Sequence, residues 1–115
     1  MISKPSWIVE YKKEIERAIQ ARSEGNEGRA RVCARRAAGI LIGEYLFRHG
    51  HTGISNSAYD RLALFTDLPE VEEMYKEVCR HFLLKVNRDH RLPQNTDLLK
   101  DVFWLKDNLL IDYTD

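Results

Sequence analysis

The chain has 115 residues, 43% of them hydrophobic and 31% charged, which reads as a single domain over 1–115, large enough to bury a core and too apolar for a disordered chain. Its 18 basic and 18 acidic side chains cancel, removing the simple net-charge argument for a nucleic-acid partner. No apolar run approaches the roughly 20 residues of a membrane span, and MISKPSWIVEYKK has no apolar signal core before its charges begin, so a cytoplasmic location without a membrane partner is expected.

Trp7, Ile8, Tyr11, Ile15, Ala18 and Ile19 recur at helical spacing while Glu10, Lys13, Glu14 and Arg17 make the other face polar, predicting a first helix over about 6–23 with Ser6 as its cap. A break at Glu24, Gly25 and Asn26 precedes a second helix over about 26–47. Ala30, Cys33, Ala34, Ala37, Ile40, Leu41 and Tyr45 share its broad main face, and Val32, Gly39, Ile42, Gly43 and Leu46 form a second apolar strip. A helix apolar on two sides is either central to its own fold or gives one side to a partner. Gly39 and Gly43 cost about 1 kcal/mol each against Ala in a helix interior, which indicates a close backbone approach on that strip.

Four arginines, Arg29, Arg31, Arg35 and Arg36, flank the strip. Either they pair with Glu24, Glu27, Glu44 or the acidic residues of later helices, or they hold the phosphate of a nucleotide or RNA. Glu44 falls within the main apolar face, where a carboxylate needs a partner, expected to be an arginine of a neighbouring helix.

Ser57 and Asp60 resemble a capping box and open a short third helix over about 57–66. Asp67 is read as the cap of a fourth, with Pro69 in its first turn and a stripe from Val71 to Val86. After the polar run 87–95, Thr96 opens a fifth helix, where Asp97 and Asp101 suit the positive end of the dipole and the inner face is Leu98, Leu99, Val102, Leu105, Leu109 and Tyr113. Trp104 and Ile111 lie opposite that face, as an interface anchor or under the amino-terminal segment. With no period-two alternation, the fold class is all-α: a helical bundle of four main helices and one short one.

Residues 1–50 carry ten Lys/Arg against six Asp/Glu and residues 51–115 eight against twelve, so oppositely charged halves pair within the domain. Cys33 and Cys79 read as reduced, buried thiols. The histidines of the HGH at 49–51 and the Glu77/His81 pair lack the spacings of helical di-iron or zinc sites, and no nucleophile or phosphate-loop motif occurs. No metal, cofactor or catalytic residue is assigned.

The first helix ending in AIQARSEGN, followed by a long helix opening with GRARVCARRAAG, resembles the HEPN superfamily of small helical proteins. That resemblance implies a compact bundle that dimerises and binds RNA, a nucleotide or a partner protein. Its ribonuclease members carry an arginine followed four to six residues later by a histidine. Here Arg48 precedes His49 and His51, Arg80 precedes His81, and Arg88 precedes His90, all too close. The expectation is therefore a non-catalytic homodimeric interaction module with Arg29, Arg31, Arg35 and Arg36 as the anion-binding set and Val32, Gly39, Ile42, Gly43, Leu46, Trp104 and Ile111 as the contact. The alternative is an RNA- or nucleotide-directed enzyme using those arginines and a histidine from the HGH or the 87–95 segment. A scaffold for a neighbouring protein, with no small ligand, is a third reading.

Overall fold

The computed structural model describes residues 5–86, 92 and 96–110. Five helices occur among the described residues: α1 (Ser6–Ser23), α2 (Glu27–Arg48), α3 (Ala58–Asp67), α4 (Glu73–His81) and α5 (Leu98–Leu109). No strand occurs among the described residues, and no described helix is long and apolar enough to cross a membrane.

Short-range chemistry sets most boundaries. Pro5 rather than Ser6 takes the cap position of α1, and its carbonyl accepts from Ile8 N–H at 3.1 Å. At the far end Gly25 has a positive φ of 78°, which lets Asn26 N–H reach back to the Ala21 carbonyl at 2.8 Å and close the helix. The Asn26 side chain then accepts from Arg29 N–H and starts α2. At α3 half of the expected capping box forms, with Ser57 Oγ accepting from Asp60 N–H at 3.2 Å. The return arm runs through Ser55, whose Oγ accepts from Ser57 N–H and donates to the Asp60 carboxylate.

The fourth helix differs from the expectation. Asp67 closes α3 instead of capping α4, because Leu68 is extended (φ −76°, ψ 122°), as residues before proline prefer. The apolar stripe therefore becomes a 9-residue helix, with Glu72 at its cap. A tighter turn follows, in which Phe82, Leu83 and Leu84 N–H groups donate to carbonyls three residues back.

The long α2 touches α1, α3 and α5, and α4 completes the globule by contacting α3 and α5. Its burial explains the two apolar sides. Ala34, Ala37 and Leu41 are shut inside, and so are Ile42 and Leu46 on the second strip. The close approach at that strip comes from within the chain: a Cβ on Gly39 would lie 2.5 Å from Ala58 Cβ, and one on Gly43 would meet the Arg61 guanidinium. Gly39, Ile42 and Leu46 are thus covered by the chain's own fold, while Val32 stays 41% exposed. Trp104 is half-buried against Tyr75, ring centroids 5.6 Å apart, and Ile111 and Tyr113 lie outside the described residues.

The α1–α2 joint is tied to α5 by Arg22, which donates to Glu27 (2.8 Å) and to both carboxylate oxygens of Asp97. Those two acids raise the Arg22 pKa above its ordinary value. Cys33 and Cys79 are both free and buried, and burial pushes the Cys79 thiol up to about 12 and raises Cys33 as well.

Candidate functional site

The polar residues of α2 are confined to narrow arcs, because two of the helix's sides are buried, and the arginines emerge beside its neighbours. An open groove of about 800 Å³ lies between the first half of α2, the start of α3 and the turn after α4. Arg31 and Arg35 line it from α2, Tyr59 from α3 and Lys85 from the turn, over an apolar lining that includes Val32 and Val86. Among the described residues no acidic side chain lines it. A second lobe of about 460 Å³ shares Val32 and Arg35 with the first and adds Arg36, Arg61, Ser57 and Glu14. Arg35 stands at the joint.

Arg35 is the most constrained of these cations. Its Nε donates to the Phe82 carbonyl at 2.7 Å, and among the described residues it makes no salt bridge. Burial, and then repulsion from Arg31, lower its pKa from the ordinary value. A half-buried guanidinium held by a neutral carbonyl beside a second guanidinium lacks the compensation that buried charge normally receives. An anion would supply it.

Arg29 is not part of this cleft; it lines a separate hollow on the α1 side with Arg17 and Glu24. Of the acids expected as internal partners for the four arginines, Glu27 binds Arg22, Glu24 accepts from Gln20, and Glu44 pairs with Arg48 of its own helix at 3.2 Å. The Glu44 expectation of an arginine from a neighbouring helix is corrected accordingly. The deeply buried carboxylate is Glu14, 8% exposed, which sequence periodicity places on the polar face of α1. It is buried because α1 lies along α2 with Tyr11, Glu14, Ile15 and Ala18 turned inward.

Tyr59, Arg61 and Lys85 are the residues that sequence reasoning missed. Each is an ordinary surface residue by spacing and enters the cleft only through tertiary packing. Arg61 is held in place, donating to the Ser55 carbonyl at 2.7 Å and to the Gly39 carbonyl at 3.2 Å.

The histidines stand apart from the arginines. His49 Nδ1 contacts the Tyr45 carbonyl (2.8 Å) and stacks on the Tyr45 ring, His51 faces Glu70 at 3.7 Å, and neither lines the cleft. His90 lies outside the described residues. His81 Nδ1 meets Asp101 at 3.0 Å on the α5 side of α4, in a hollow shared with Trp104. Burial raises the Asp101 pKa, and the bond from His81 only partly offsets it. Among the described residues no group of three His, Cys, Asp or Glu side chains could hold a metal ion.

No protein-family model, curated protein sequence or solved structure matches this chain.

Proposed function

We propose that this chain is a non-catalytic, HEPN-like helical bundle that acts as a homodimeric binding module, taking the phosphate of a nucleotide or RNA in the two-lobed cleft along α2. The observation that carries this reading is Arg35: a half-buried guanidinium with no carboxylate partner among the described residues, repelled by Arg31, in a groove where the described charges are all positive. The exposed ring of Tyr59 supplies an aromatic surface beside the cations, the combination that single-stranded nucleic acids and nucleotides use. The non-catalytic part rests on His49 and His51, which are engaged with Tyr45 and Glu70 rather than lining the cleft. For the dimer contact, Trp104 is a half-exposed member of the expected set that lies outside the cleft.

Titration calorimetry with AMP and with a short oligoadenylate tests the reading. Lys85→Ala and Arg31→Ala should each weaken binding by about tenfold, the loss of one charge-assisted contact, and the wild-type affinity should fall as salt rises. Variants that bind as well as wild type, or a wild-type chain that binds neither ligand at low salt, would remove the cleft as a phosphate site. For the dimer, a sedimentation mass that stays monomeric at high concentration refutes that part alone.

A further inference from the structure

The two lobes of the cleft differ in charge. Arg31, Arg35 and Lys85 line the larger, and no acidic side chain does so among the described residues. The smaller sets Glu14 beside Arg35, Arg36 and Arg61, so part of its positive charge is already offset. Two features bring the larger lobe's cations together. Arg31 and Arg35 are four residues apart on α2, one turn above the other on the same face, and burial and then repulsion from Arg31 lower the Arg35 pKa. Arg35 Nε also donates to the Phe82 carbonyl at 2.7 Å. The turn beyond Phe82 is closed by Leu83 N–H to the Arg80 carbonyl at 3.0 Å and Leu84 N–H to the His81 carbonyl at 3.3 Å. The arginine thus holds the turn that presents Lys85, the third cation, to the same lobe.

We infer that the larger lobe selects a terminal phosphate, a monoester with two charges and three unesterified oxygens, over the singly charged diester inside a strand. This rests on the reading of the cleft as a phosphate site and adds which phosphate it takes. Charge decides between the two. A diester offsets one of the three cations and leaves the equivalent of two repelling each other, whereas a dianion offsets two. The donors agree: Arg31, Arg35 and Lys85 provide a charge-assisted donor for each of three free oxygens, and a diester has only two to offer. Val32, Tyr59 and Val86, all exposed, line the same lobe and give the organic part of the ester an apolar and aromatic surface. The smaller lobe, which shares Val32 and Arg35, is open to the remainder of the ligand. The terminal phosphate can belong to a free nucleotide or to the end of a strand.

The test compares AMP with its phosphate methyl ester, the same nucleotide with one oxygen blocked and one charge removed, and 5′-phosphorylated with 5′-hydroxyl oligoadenylate of equal length. At about pH 7.5, where a phosphate monoester is a dianion, the wild-type chain should prefer the monoester by about tenfold, as for one charge-assisted contact. The preference appears with the mononucleotides if the ligand is free and only with the oligomers if it is a strand end. It should fade as pH falls through about 6, where the monoester takes up its second proton; the methyl ester has no such proton and so exposes any titration of the protein itself. Lys85→Ala, at an exposed position, should narrow the preference. Arg29→Ala, whose side chain lines the separate hollow on the α1 side, should leave it as in wild type. Equal binding of monoester and diester by the wild type in both series, a preference that does not change with pH, or one that survives intact in Lys85→Ala overturns the inference while leaving the phosphate site standing. A preference lost equally in Arg29→Ala and Lys85→Ala also overturns it, because overall charge rather than the lobe would then be responsible. Absence of any binding of AMP, oligoadenylate or inorganic phosphate overturns the cleft reading and this one with it.

Discussion

Three glycines of α2 should respond to the same Gly→Ala change in three different ways. At Gly39 the new methyl would lie 2.5 Å from Ala58 Cβ and 2.7 Å from Ala58 Cα, whereas carbon atoms rest at about 3.5–4.0 Å. Because the obstacle is backbone and a side chain with no rotamers, α3 itself must move outward by about 1 Å. Overpacking of this kind costs about 1–3 kcal/mol, and the gain in helix propensity returns about 1 kcal/mol, which leaves a net loss of about 1–2 kcal/mol. At Gly43 the methyl meets only the end of Arg61, a flexible side chain, so propensity and the displaced guanidinium roughly cancel. At Gly28 the nearest atom is Asn26 Oδ1 at 3.8 Å, and Gly28→Ala should stabilise by about 0.4–1 kcal/mol through the unfolded chain. Urea unfolding followed by far-ultraviolet circular dichroism measures all three, with an unchanged m-value as the check that the same transition is being read. If Gly39→Ala proved as stable as Gly28→Ala, the α2–α3 contact described above would be wrong.

Asp97 caps α5 and pairs with Arg22. Burial would raise its pKa, but Arg22 and the Lys100 and Leu99 N–H groups outweigh burial and hold it below the ordinary 3.8. The stability it gives is therefore present above the ordinary carboxylate range and lost as pH falls through the depressed value. With the Asp97 side chain 41% exposed, the ion pair is worth less than about 1 kcal/mol and the cap about as much again. Asp97→Ala should thus be less stable than wild type at neutral pH, with the gap closing below about pH 4; a gap that stays constant down to about pH 2 contradicts the assignment. The two thiols give a separate check. With Cys79 pushed up to about 12 and Cys33 raised, both should react with a disulfide reagent at pH 8 only as fast as the protein opens, and native reaction at the rate of a free thiol would refute their burial.

What could be read from the sequence follows the range of the forces involved. Asn26, Ser57 and Asp97 act on N–H groups two or three residues away, and the helices they start lie where their patterns indicate. Asp67 failed as a signal because the same residue two places before a proline fits a helix start and a helix end equally well locally. The burial of Glu14 escapes a helical wheel, which assigns the inner face from composition, whereas burial depends on the line along which the neighbouring helix lies. The arginine cluster was visible, but its groove was not: Tyr59, Lys85 and the Phe82 carbonyl come from α3 and from beyond α4, and no spacing in the chain joins them to Arg35. The HGH and the 87–95 segment offer an enzyme site its histidine by sequence alone, whereas the His81 to Asp101 pair depends on the packing of α4 against α5.

The position of α2 links these packing facts to the cleft. A helix buried on two sides has few places to put a charged side chain, and the places left are the seams where the next helix begins. Arg35 fills one such seam and serves as a strut through Nε, holding the turn after α4 by the Phe82 carbonyl. Among the described residues its Nη atoms have no carboxylate partner, so an anion can be taken up without breaking the strut. The same close contact that Gly39 permits brings Ala58 against α2, and Arg61, three residues further along α3, donates to the Gly39 carbonyl. The residues that close the core between α2 and α3 are therefore also those that shape the smaller lobe, and a perturbation at Gly39 should weaken ligand binding along with stability, whereas Gly28→Ala should raise stability and leave the smaller lobe as it is.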